Sequence, residues 1–507
     1  MDAQAGAPEK GDTKTLEPIV SHEHGTADSI RNLPLAVDTN LRLIDEAIET
    51  IGFGRFQIQL TLTSGFGFLV DQMILVAISL LTPQSAMEFG PQYPTLLSAS
   101  NYAGLFVGAI ILGGFADNIG RRLIWQLSIF AVSVAALLVA AMPNWAGLNA
   151  MLAILGFFGG GNLAIDLTLL AESIPRKWGF VLSGLAAIWG LGNTLTGLIA
   201  WPLLVTFGCE SGSTPATCHK EDNMGWRYLY ITIGGLCLIM AAIRAFVLST
   251  LESPRWLVSC GRVSEAVDVL NKIAAINKAD YAASVDDFIR MEVSVNQTKS
   301  LSENLQRAKR LVTGGKQIWL MACLALMWML VGIAYPLYTV FLPYYLASHG
   351  ASFGESSNYT TYRDWTVSSV VGIFGPFLSM WMVSNKWLRS KKSLFITAAI
   401  SAIFSGAFTT VRNDAQNLAF SCMINFWLNA MYAIIYSYTP QSLSVENRGL
   451  GNGLAMALGR MSSLSAPFIA TFGDVTSPVP IFVACGCFVL IGLIGLAVPV
   501  DTEPFSY

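Results

Sequence analysis

Long apolar stretches separated by short polar ones recur along almost the whole chain. A helix of about 20 mostly apolar residues is long enough to cross a bilayer. We predict twelve transmembrane helices, called spans 1 to 12, at residues 56–82, 94–116, 123–142, 146–171, 180–207, 228–250, 317–346, 364–385, 393–411, 418–440, 450–472 and 479–499. The polar segment 251–316 divides them six plus six. This pattern predicts an all-α membrane protein of two six-helix bundles.

The polar segments complete the predicted organisation of the chain. Residues 1–35 contain Gly, Pro, Ser and Thr and no apolar core, which is typical of a disordered cytoplasmic tail. Within 36–55, apolar residues recur at helical spacing: Val37, Leu41, Ile44, Ile48 and Ile51. This stripe predicts an amphipathic helix that either lies on the inner membrane surface or contacts protein as a connector. The bundles then occupy 56–250 and 317–507, and 251–316 is a cytoplasmic linker with short helices.

Composition supports a membrane protein and excludes several other classes. Of the 507 residues, 53% are hydrophobic and 12% are charged, whereas soluble domains average about 25% charged residues. The formal net charge of −3 does not indicate a nucleic-acid partner. The sequence contains no nucleophile–base pair, metal-ligating cluster or phosphate-binding loop. We therefore expect no enzyme activity, no cofactor and no bound metal.

The basic residues are distributed unevenly between the two sides of the predicted membrane. If both chain ends are cytoplasmic, the short inner loops contain nine Lys and Arg residues and the outer loops contain four. Cytoplasmic loops carry an excess of basic residues, so this orientation is predicted. We expect a monomer in the plasma membrane, with an intracellular vesicle or vacuole membrane as the alternative.

Two features of the outer loops predict chemistry of the secretory pathway. Cys209 and Cys218 share the loop 208–227 on the oxidising side of the membrane, which predicts a disulfide; two free thiols are the alternative. The sequence Asn358-Tyr359-Thr360 is a sequon, so Asn358 is a candidate site of N-glycosylation.

Charged residues inside the spans are candidates for function, because an ionised group in hydrocarbon is costly. Asp71 in span 1 and Arg460 in span 11 are predicted near mid-membrane. Asp166 lies towards the inner end of span 4, with Asn162 one turn away. Asp71 and Asp166 are candidate carriers of a coupling proton, and Arg460 is a candidate ligand for a substrate. A static ion pair or an interhelical hydrogen bond is the alternative, and Arg244 is expected to extend from span 6 to the inner surface.

Polar and aromatic side chains on single helical faces predict a cavity between the spans. In span 10, polar and aromatic residues recur at i, i+4, i+7 and i+11, which places them on one helical face: Asn425, Asn429, Tyr432 and Tyr436. Spans 5 and 7 contribute further candidates, which with Asn162 complete the predicted lining: Trp189, Asn193, Tyr335 and Tyr338. Rings and amides bind small solutes by stacking and hydrogen bonding, although structural packing also explains such faces.

The loop between spans 2 and 3 has the pattern G-x-x-x-D-x-x-G-R-R, from Gly113 to Arg122. This pattern resembles the loop signature of the major facilitator superfamily. The stretches 52–57, 225–227 and 252–257, with Tyr438-Thr439-Pro440, are similar to the synaptic-vesicle-protein-related (SVOP-like) and sugar-porter-related branch. The resemblance implies the major facilitator fold and proton-coupled or facilitated transport of a small organic solute by alternating access.

The same resemblance implies a gate at the inner face, where acids and arginines form pairs that must break for opening. The implied residues are Gly113, Asp117, Gly120, Arg121, Arg122, Glu172, Glu252, Arg255 and Arg448. Alternatively, these arginines only fix the orientation of the protein in the membrane. The equivalent loop after span 8, 385–392, lacks the Gly and Asp of the pattern, so the gate is expected to be carried mainly by the first bundle.

The expected function is therefore secondary active transport of a small organic solute, coupled to protons. A drug or metabolite efflux carrier, a facilitative sugar-type carrier and a non-transporting sensor with the same fold are the alternatives. Span 7 has no tandem Gln of the kind that sugar porters use on hydroxyl groups, which argues against a standard hexose carrier.

Overall fold

The structure is a computed structural model that describes residues 26–179, 181–210, 212–247, 251–289, 314–339, 358–411, 413–443, 448–473 and 477–501. Of the predicted disordered tail 1–35, residues 1–25 lie outside the described residues, and residues 26–35 belong to a helix. The side chains of Asp117, Asn358 and Arg448 also lie outside the description, although their backbones belong to helices.

The first six spans form a bundle of long helices. Their bounds are Arg55–Phe89, Leu97–Ile119, Arg121–Val139, Trp145–Ser173, Val181–Phe207 and Gly225–Ala242, the last continuing as a π-helical turn, Ile243–Val247. Local chemistry sets several ends. Gly90 ends span 1 in the left-handed conformation (φ 60°), which glycine adopts without strain. Asn144 caps span 4, because its Oδ1 accepts a hydrogen bond from the backbone N–H of Gly147.

The second six spans form the other bundle, and two of them are interrupted. The bounds are Gly315–Thr339, Asn358–Gly372 with Gly375–Ser384, Arg389–Ala407, Asp414–Ser442, Arg448–Ser463 with Ser465–Phe472, and Val479–Ala497. The first segments of spans 8 and 11 end four residues before Pro376 and Pro467. Proline has no N–H to donate to the carbonyl four residues earlier, so each helix breaks there.

Ten helices among the described residues are long and apolar enough to cross a membrane. They cover every predicted span except span 4 and the interrupted span 11, both of which are helical. The prediction of an all-α protein with twelve transmembrane helices in two six-helix bundles is thereby confirmed. The exact boundaries of the five segments into which the sequence divides the chain, from the tail to the second bundle, remain predictions.

Glycines let spans 2 and 4 pack with their backbones in contact. A Cβ added at Gly104 or Gly108 would lie 2.0 or 1.8 Å from a carbonyl oxygen of span 4. A Cβ at Gly156 or Gly160 would likewise collide with carbonyl oxygens of span 2. Small residues are the usual means of close helix packing in membranes, where no hydrophobic effect drives helices together. This interface makes the first bundle a tightly packed unit.

The helix before span 1 runs from Thr26 to Ile51, so it starts ten residues earlier than the predicted 36. Its apolar face is covered by protein, since Ile44, Ile48 and Ile51 are buried. The covering partners include the linker helices Pro254–Ser259 and Val263–Asn277. Ile44, Ile48 and Ile51 therefore contact protein, as in the connector alternative, while Val37 and Leu41 are half-buried.

Candidate functional site

Asp71 and Arg460 form an ion pair in the middle of the molecule. One guanidinium nitrogen, Nη2 of Arg460, lies 3.3 Å from each carboxylate oxygen of Asp71. Both side chains are largely buried, with 3% of Asp71 and 14% of Arg460 exposed. Asp71 comes from span 1 and Arg460 from span 11, so the pair joins the two bundles. The two charges that the sequence predicts near mid-membrane thus lie side by side.

Six aromatic side chains line the space next to Arg460. Five of them form a cluster that we call the aromatic cage: Trp189, Trp328, Tyr335, Tyr432 and Tyr436. Their ring centroids lie close together. Trp328 and Tyr436 are 4.7 Å apart, Tyr335 and Tyr432 are 4.8 Å apart, and Trp189 and Tyr432 are 5.1 Å apart. Trp189 comes from the first bundle and the other four rings come from the second. The cage is therefore shared between the bundles.

The cage lines a partly open cavity with about 420 Å³ of space not filled by atoms, part of which is open solvent. Tyr102 and Arg460 complete its polar lining with Ser463. The indole Nε1 of Trp189 is buried and has no hydrogen-bond partner among the described residues. The cavity thus offers a cation and aromatic faces to one ligand.

A network of amides fixes one wall of this site. The side-chain nitrogen of Gln72 donates hydrogen bonds to Oδ1 of Asn193 at 2.7 Å and to the Tyr335 hydroxyl at 2.6 Å. Gln72 follows Asp71 in span 1, while Asn193 and Tyr335 belong to spans 5 and 7. Asn193 therefore orients the cage through Gln72 and is not itself part of the cavity lining.

The predicted face of span 10 divides into two parts. Tyr432 and Tyr436 line the cavity, whereas Asn425 and Asn429 do not. Asn425 donates to the hydroxyl of Ser368 in span 8, and Asn429 donates to the backbone carbonyl of Asn425. Tyr338 of span 7 is also buried away from the lining. These three residues pack inside the second bundle.

Four of the residues described at this site were absent from the sequence prediction: Gln72, Tyr102, Trp328 and Ser463. Trp328 lies seven residues before Tyr335, which is two helical turns on the same face, so this spacing was a usable signal. Gln72 and Tyr102 gave no comparable pattern. The contribution of Tyr102 depends on how span 2 packs against the second bundle.

A second buried ion pair lies inside the first bundle. Nη2 of Arg244 is 3.0 Å from Oδ1 of Asp166, and both side chains are fully buried. Oδ1 of Asp166 also accepts from the indole N–H of Trp125. Asn162 bridges the pair, since its Oδ1 accepts from Arg244 at 2.9 Å and its Nδ2 donates to Asp166 at 3.0 Å. The expectation that Arg244 extends to the surface is wrong, because Asp166 and the ring of Trp125 hold it inside.

Most of the implied gate residues lie together at the inner end of the first bundle. Arg121 forms an ion pair with Glu172, whose Oε2 accepts from the hydroxyl of Ser253 at 2.8 Å. The backbone N–H of Arg122 donates to Glu252 at 3.2 Å. This approach follows from Gly120, whose φ of 126° turns the chain between spans 2 and 3.

Arg255 has a partner that the sequence did not indicate. It forms an ion pair with Asp45 of the helix before span 1. Gly113 has open space where a side chain would be, and the side chains of Asp117 and Arg448 lie outside the described residues. The partners described for these residues belong to the first bundle, the linker and the preceding helix.

The outer end of the first bundle holds a buried charged cluster. Glu88, at the end of span 1, accepts hydrogen bonds from Arg227 at 2.7 and 2.9 Å and from the indole of Trp226 at 3.1 Å. The neighbouring loop is closed by a disulfide between Cys209 and Cys218. Asn358 begins the first segment of span 8, and its side chain lies outside the described residues.

Comparison with known proteins identifies the class of this fold. A family model described as Major Facilitator Superfamily matches residues 60–467. The MFS siderochrome iron transporter 1 of Ceriporiopsis subvermispora is 33% identical over 500 residues, which cover 96% of this chain and 94% of the relative. The niacin transporter NiaP of Acinetobacter baylyi is 26% identical, over 84% of this chain and 89% of the relative.

Two further similarities concern the branch and the fold. The putative transporter svop-1 of Caenorhabditis elegans is 25% identical over 91% of this chain and 85% of the relative. The xylose transporter XylE from E. coli has a similar fold, with a TM-score of 0.65 and 16% identity, over 88% of this chain and 98% of that one. The predicted resemblance to the superfamily and to its synaptic-vesicle-protein-related branch is confirmed.

Proposed function

The chain belongs to the major facilitator superfamily and is a multi-pass integral membrane transporter of small solutes, and from this premise we propose that it couples the transport of an aromatic organic acid to protons. Asp71 carries the coupling proton in this proposal, and Arg460 with the aromatic cage binds the solute. The observation that carries it is the Asp71–Arg460 pair, which joins the bundles beside the cavity.

The pair links proton binding to solute binding through charge. When Asp71 is ionised, its carboxylate satisfies Arg460. When Asp71 takes up a proton, it loses its charge, and the guanidinium becomes available to an anion. A buried cation without a counter-charge is costly, so a solute carboxylate replaces the aspartate. The two bundles then rock about the loaded site, as the repeats of alternating-access transporters do.

The lining indicates the chemistry of the solute. A guanidinium binds a carboxylate with two parallel hydrogen bonds, and the faces of the cage stack on a planar ring. The name of the niacin transporter, a relative at 26% identity, supports an aromatic carboxylate of this size.

Transport by the purified protein in liposomes tests this proposal. The solutes are nicotinate, its neutral amide nicotinamide, and glucose, measured with and without an acidic exterior; protein-free liposomes correct for passive entry. We expect accumulation of nicotinate that requires the pH gradient and stops when a protonophore collapses it. Equal uptake of nicotinate and nicotinamide would exclude the role of Arg460, and uptake that ignores the gradient would exclude proton coupling.

The variant Asp71→Asn isolates the proton step, because asparagine has the shape of a protonated aspartate and cannot release a proton. We expect gradient-driven accumulation to disappear while exchange of nicotinate across the membrane at equal pH continues. Ser368→Ala is the control, because Ser368 bonds to Asn425 and does not line the cavity.

A further inference from the structure

The turn between spans 8 and 9, at residues 385–392 on the predicted inner side, carries a cluster of cations, and we call it the basic turn. Its cations are Lys386, Arg389, Lys391 and Lys392. Three of these side chains are exposed and that of Lys391 is half-buried. None of the four forms an ion pair with another residue in the described part of the chain. Their charge is therefore open to a partner outside the chain.

Three of these cations lie where a helix least favours positive charge. They occupy the first turn of Arg389–Ala407, which contains no acid. The N-terminus of a helix carries partial positive charge, so cations there are unfavourable unless an anion is close. Span 3 of the first bundle also begins with two arginines, Arg121 and Arg122. There the anions belong to the chain, because Arg121 pairs with Glu172 and the N–H of Arg122 donates to Glu252.

The second bundle lacks one of these anions at the equivalent position. Spans 4 and 10 are both helices of 29 residues that follow an asparagine cap, Asn144 or Asn413. Glu172 is the second-to-last residue of span 4, and the neutral Gln441 is the second-to-last residue of span 10. Its side-chain nitrogen donates to the backbone carbonyl of Gly179 at 3.3 Å. Span 9 packs against span 10 as span 3 packs against span 4, so the basic turn has lost the counterpart of Glu172.

An exposed tryptophan gives the basic turn a second affinity for the membrane surface. The side chain of Trp387 is 84% exposed. Two hydrogen bonds hold the turn that presents it: the N–H of Trp387 donates to Oδ1 of Asn385 at 2.9 Å, and Nζ of Lys392 donates to the carbonyl of Trp387 at 3.1 Å. Tryptophan is enriched at the membrane–water interface, at the depth of the lipid headgroups. The cations beside it therefore stand at headgroup depth.

We propose that the basic turn binds the phosphate groups of anionic phospholipids in the inner leaflet, and that these phosphates take the place of the acid that span 10 lacks. Arginine and lysine form charge-assisted hydrogen bonds with phosphate oxygens. Basic segments next to a span are attracted to an anionic leaflet, with roughly a fivefold gain in affinity for each cation. The indole of Trp387 contacts the glycerol and upper acyl region, which a free phosphate does not have. Binding at this site requires neither the solute nor a proton gradient.

Counting the lipids that stay bound to the full chain tests the site. The purified protein is delipidated in detergent and titrated with phosphatidylserine or with phosphatidylcholine, and native mass spectrometry measures the bound lipid. In the test variant, Gln replaces all four cations of the basic turn. In the matched control, Gln replaces four exposed lysines elsewhere on the predicted inner side, so that the net charge is the same: Lys177, Lys272, Lys278 and Lys316.

We expect the parent to bind phosphatidylserine about tenfold more tightly than phosphatidylcholine, or more. The test variant should lose this preference and the control should keep it. A tenfold molar excess of inorganic phosphate over lipid should not displace phosphatidylserine, because phosphate has no acyl chains. Equal binding of the two lipids by the parent overturns the inference, and so does the same loss in both variants. Displacement by phosphate would overturn the assignment to a lipid.

The variant Gln441→Glu tests whether the lipid replaces the missing acid. It places a carboxylate at the position that Glu172 holds in span 4, where it can pair with the basic turn without removing any cation. We expect the affinity for phosphatidylserine to fall several-fold, while the affinity for phosphatidylcholine stays the same. An unchanged affinity for phosphatidylserine in this variant would mean that the lipid phosphate does not occupy the place of the acid.

Discussion

Arg460 is the residue at which solute and proton compete in the proposed cycle. Its guanidinium has two classes of partner, the carboxylate of Asp71 and the solute that enters the aromatic cage. A lysine at this position would keep the charge but lose the paired N–H groups, which bind a carboxylate in one plane. Shape as well as charge therefore decides the affinity for an acid.

Replacing Arg460 with Gln should weaken binding of nicotinate about 10- to 100-fold, because a hydrogen bond to a charged group contributes about 1.5–3 kcal/mol. Binding of nicotinamide should change little, since the neutral amide has no charge to pair. Arg460→Lys should fall between the parent and Arg460→Gln. Isothermal titration of the detergent-solubilised protein gives the three affinities, and an equal loss for acid and amide would contradict the assignment.

Several of the site residues were predictable from the sequence, and the reasons for the failures differ. Asp71 and Arg460 were predictable because a charge in an apolar span is conspicuous. The face of span 10 was correct as a face, yet Asn425 and Asn429 lie against span 8, since helical periodicity does not identify the neighbouring helix. Arg244 was misplaced because position within a span does not show whether a buried acid lies opposite.

At the scale of elements, local sequence chemistry explains where the spans begin and end. It explains less well which spans contact one another. The breaks in spans 8 and 11 follow from two prolines, and the start of span 4 follows from the cap by Asn144. The packing of spans 2 and 4 required the structure, because glycine is frequent in membrane helices and its partners are not encoded locally.

The glycine interface of spans 2 and 4 should tolerate no side chain. Gly108→Ala would place a Cβ 1.8 Å from the carbonyl oxygen of Phe157, so the backbones must separate. We expect a loss of stability of about 1–3 kcal/mol or more, as in overpacked cores. Gly235→Ala in span 6 is the control, since nothing lies within 4 Å of its added Cβ. An equal midpoint temperature of unfolding for the two variants in detergent would contradict this packing.

At the scale of the whole molecule, hydrogen bonds between uncharged groups join the two bundles at both sides. At the outer side, the hydroxyls of Thr95 and Thr471 lie 2.5 Å apart, and Gln84 donates to the Tyr362 hydroxyl at 3.5 Å. At the inner side, Nε2 of Gln441 donates to the backbone carbonyl of Gly179 at 3.3 Å. The described ion pairs of Arg121 and Arg255 lie within the first bundle, the linker and the preceding helix. The outer contacts between bundles can therefore break without separating charges.

Alternating access requires the outer contact between Thr95 and Thr471 to open in each cycle. The double variant Thr95→Cys/Thr471→Cys should therefore lose transport when oxidised and regain it when reduced. The control is Ser100→Cys/Asn149→Cys, which joins spans 2 and 4 within the first bundle, where the parent side chains lie 2.7 Å apart. That cross-link should leave transport unchanged. Full activity of the oxidised Thr95/Thr471 variant would mean that the outer side does not open there.

Because the aromatic cage is shared between the bundles, the intrinsic fluorescence of the protein also reports its conformation. Trp189 belongs to the first bundle, while Tyr335, Tyr432 and Tyr436, which pack around it, belong to the second. Any rocking of the bundles changes the surroundings of this indole, and with them the colour and intensity of its emission. The difference between the fluorescence of the parent and of a chain with Phe at position 189 thus records each turn of the cycle without an attached dye.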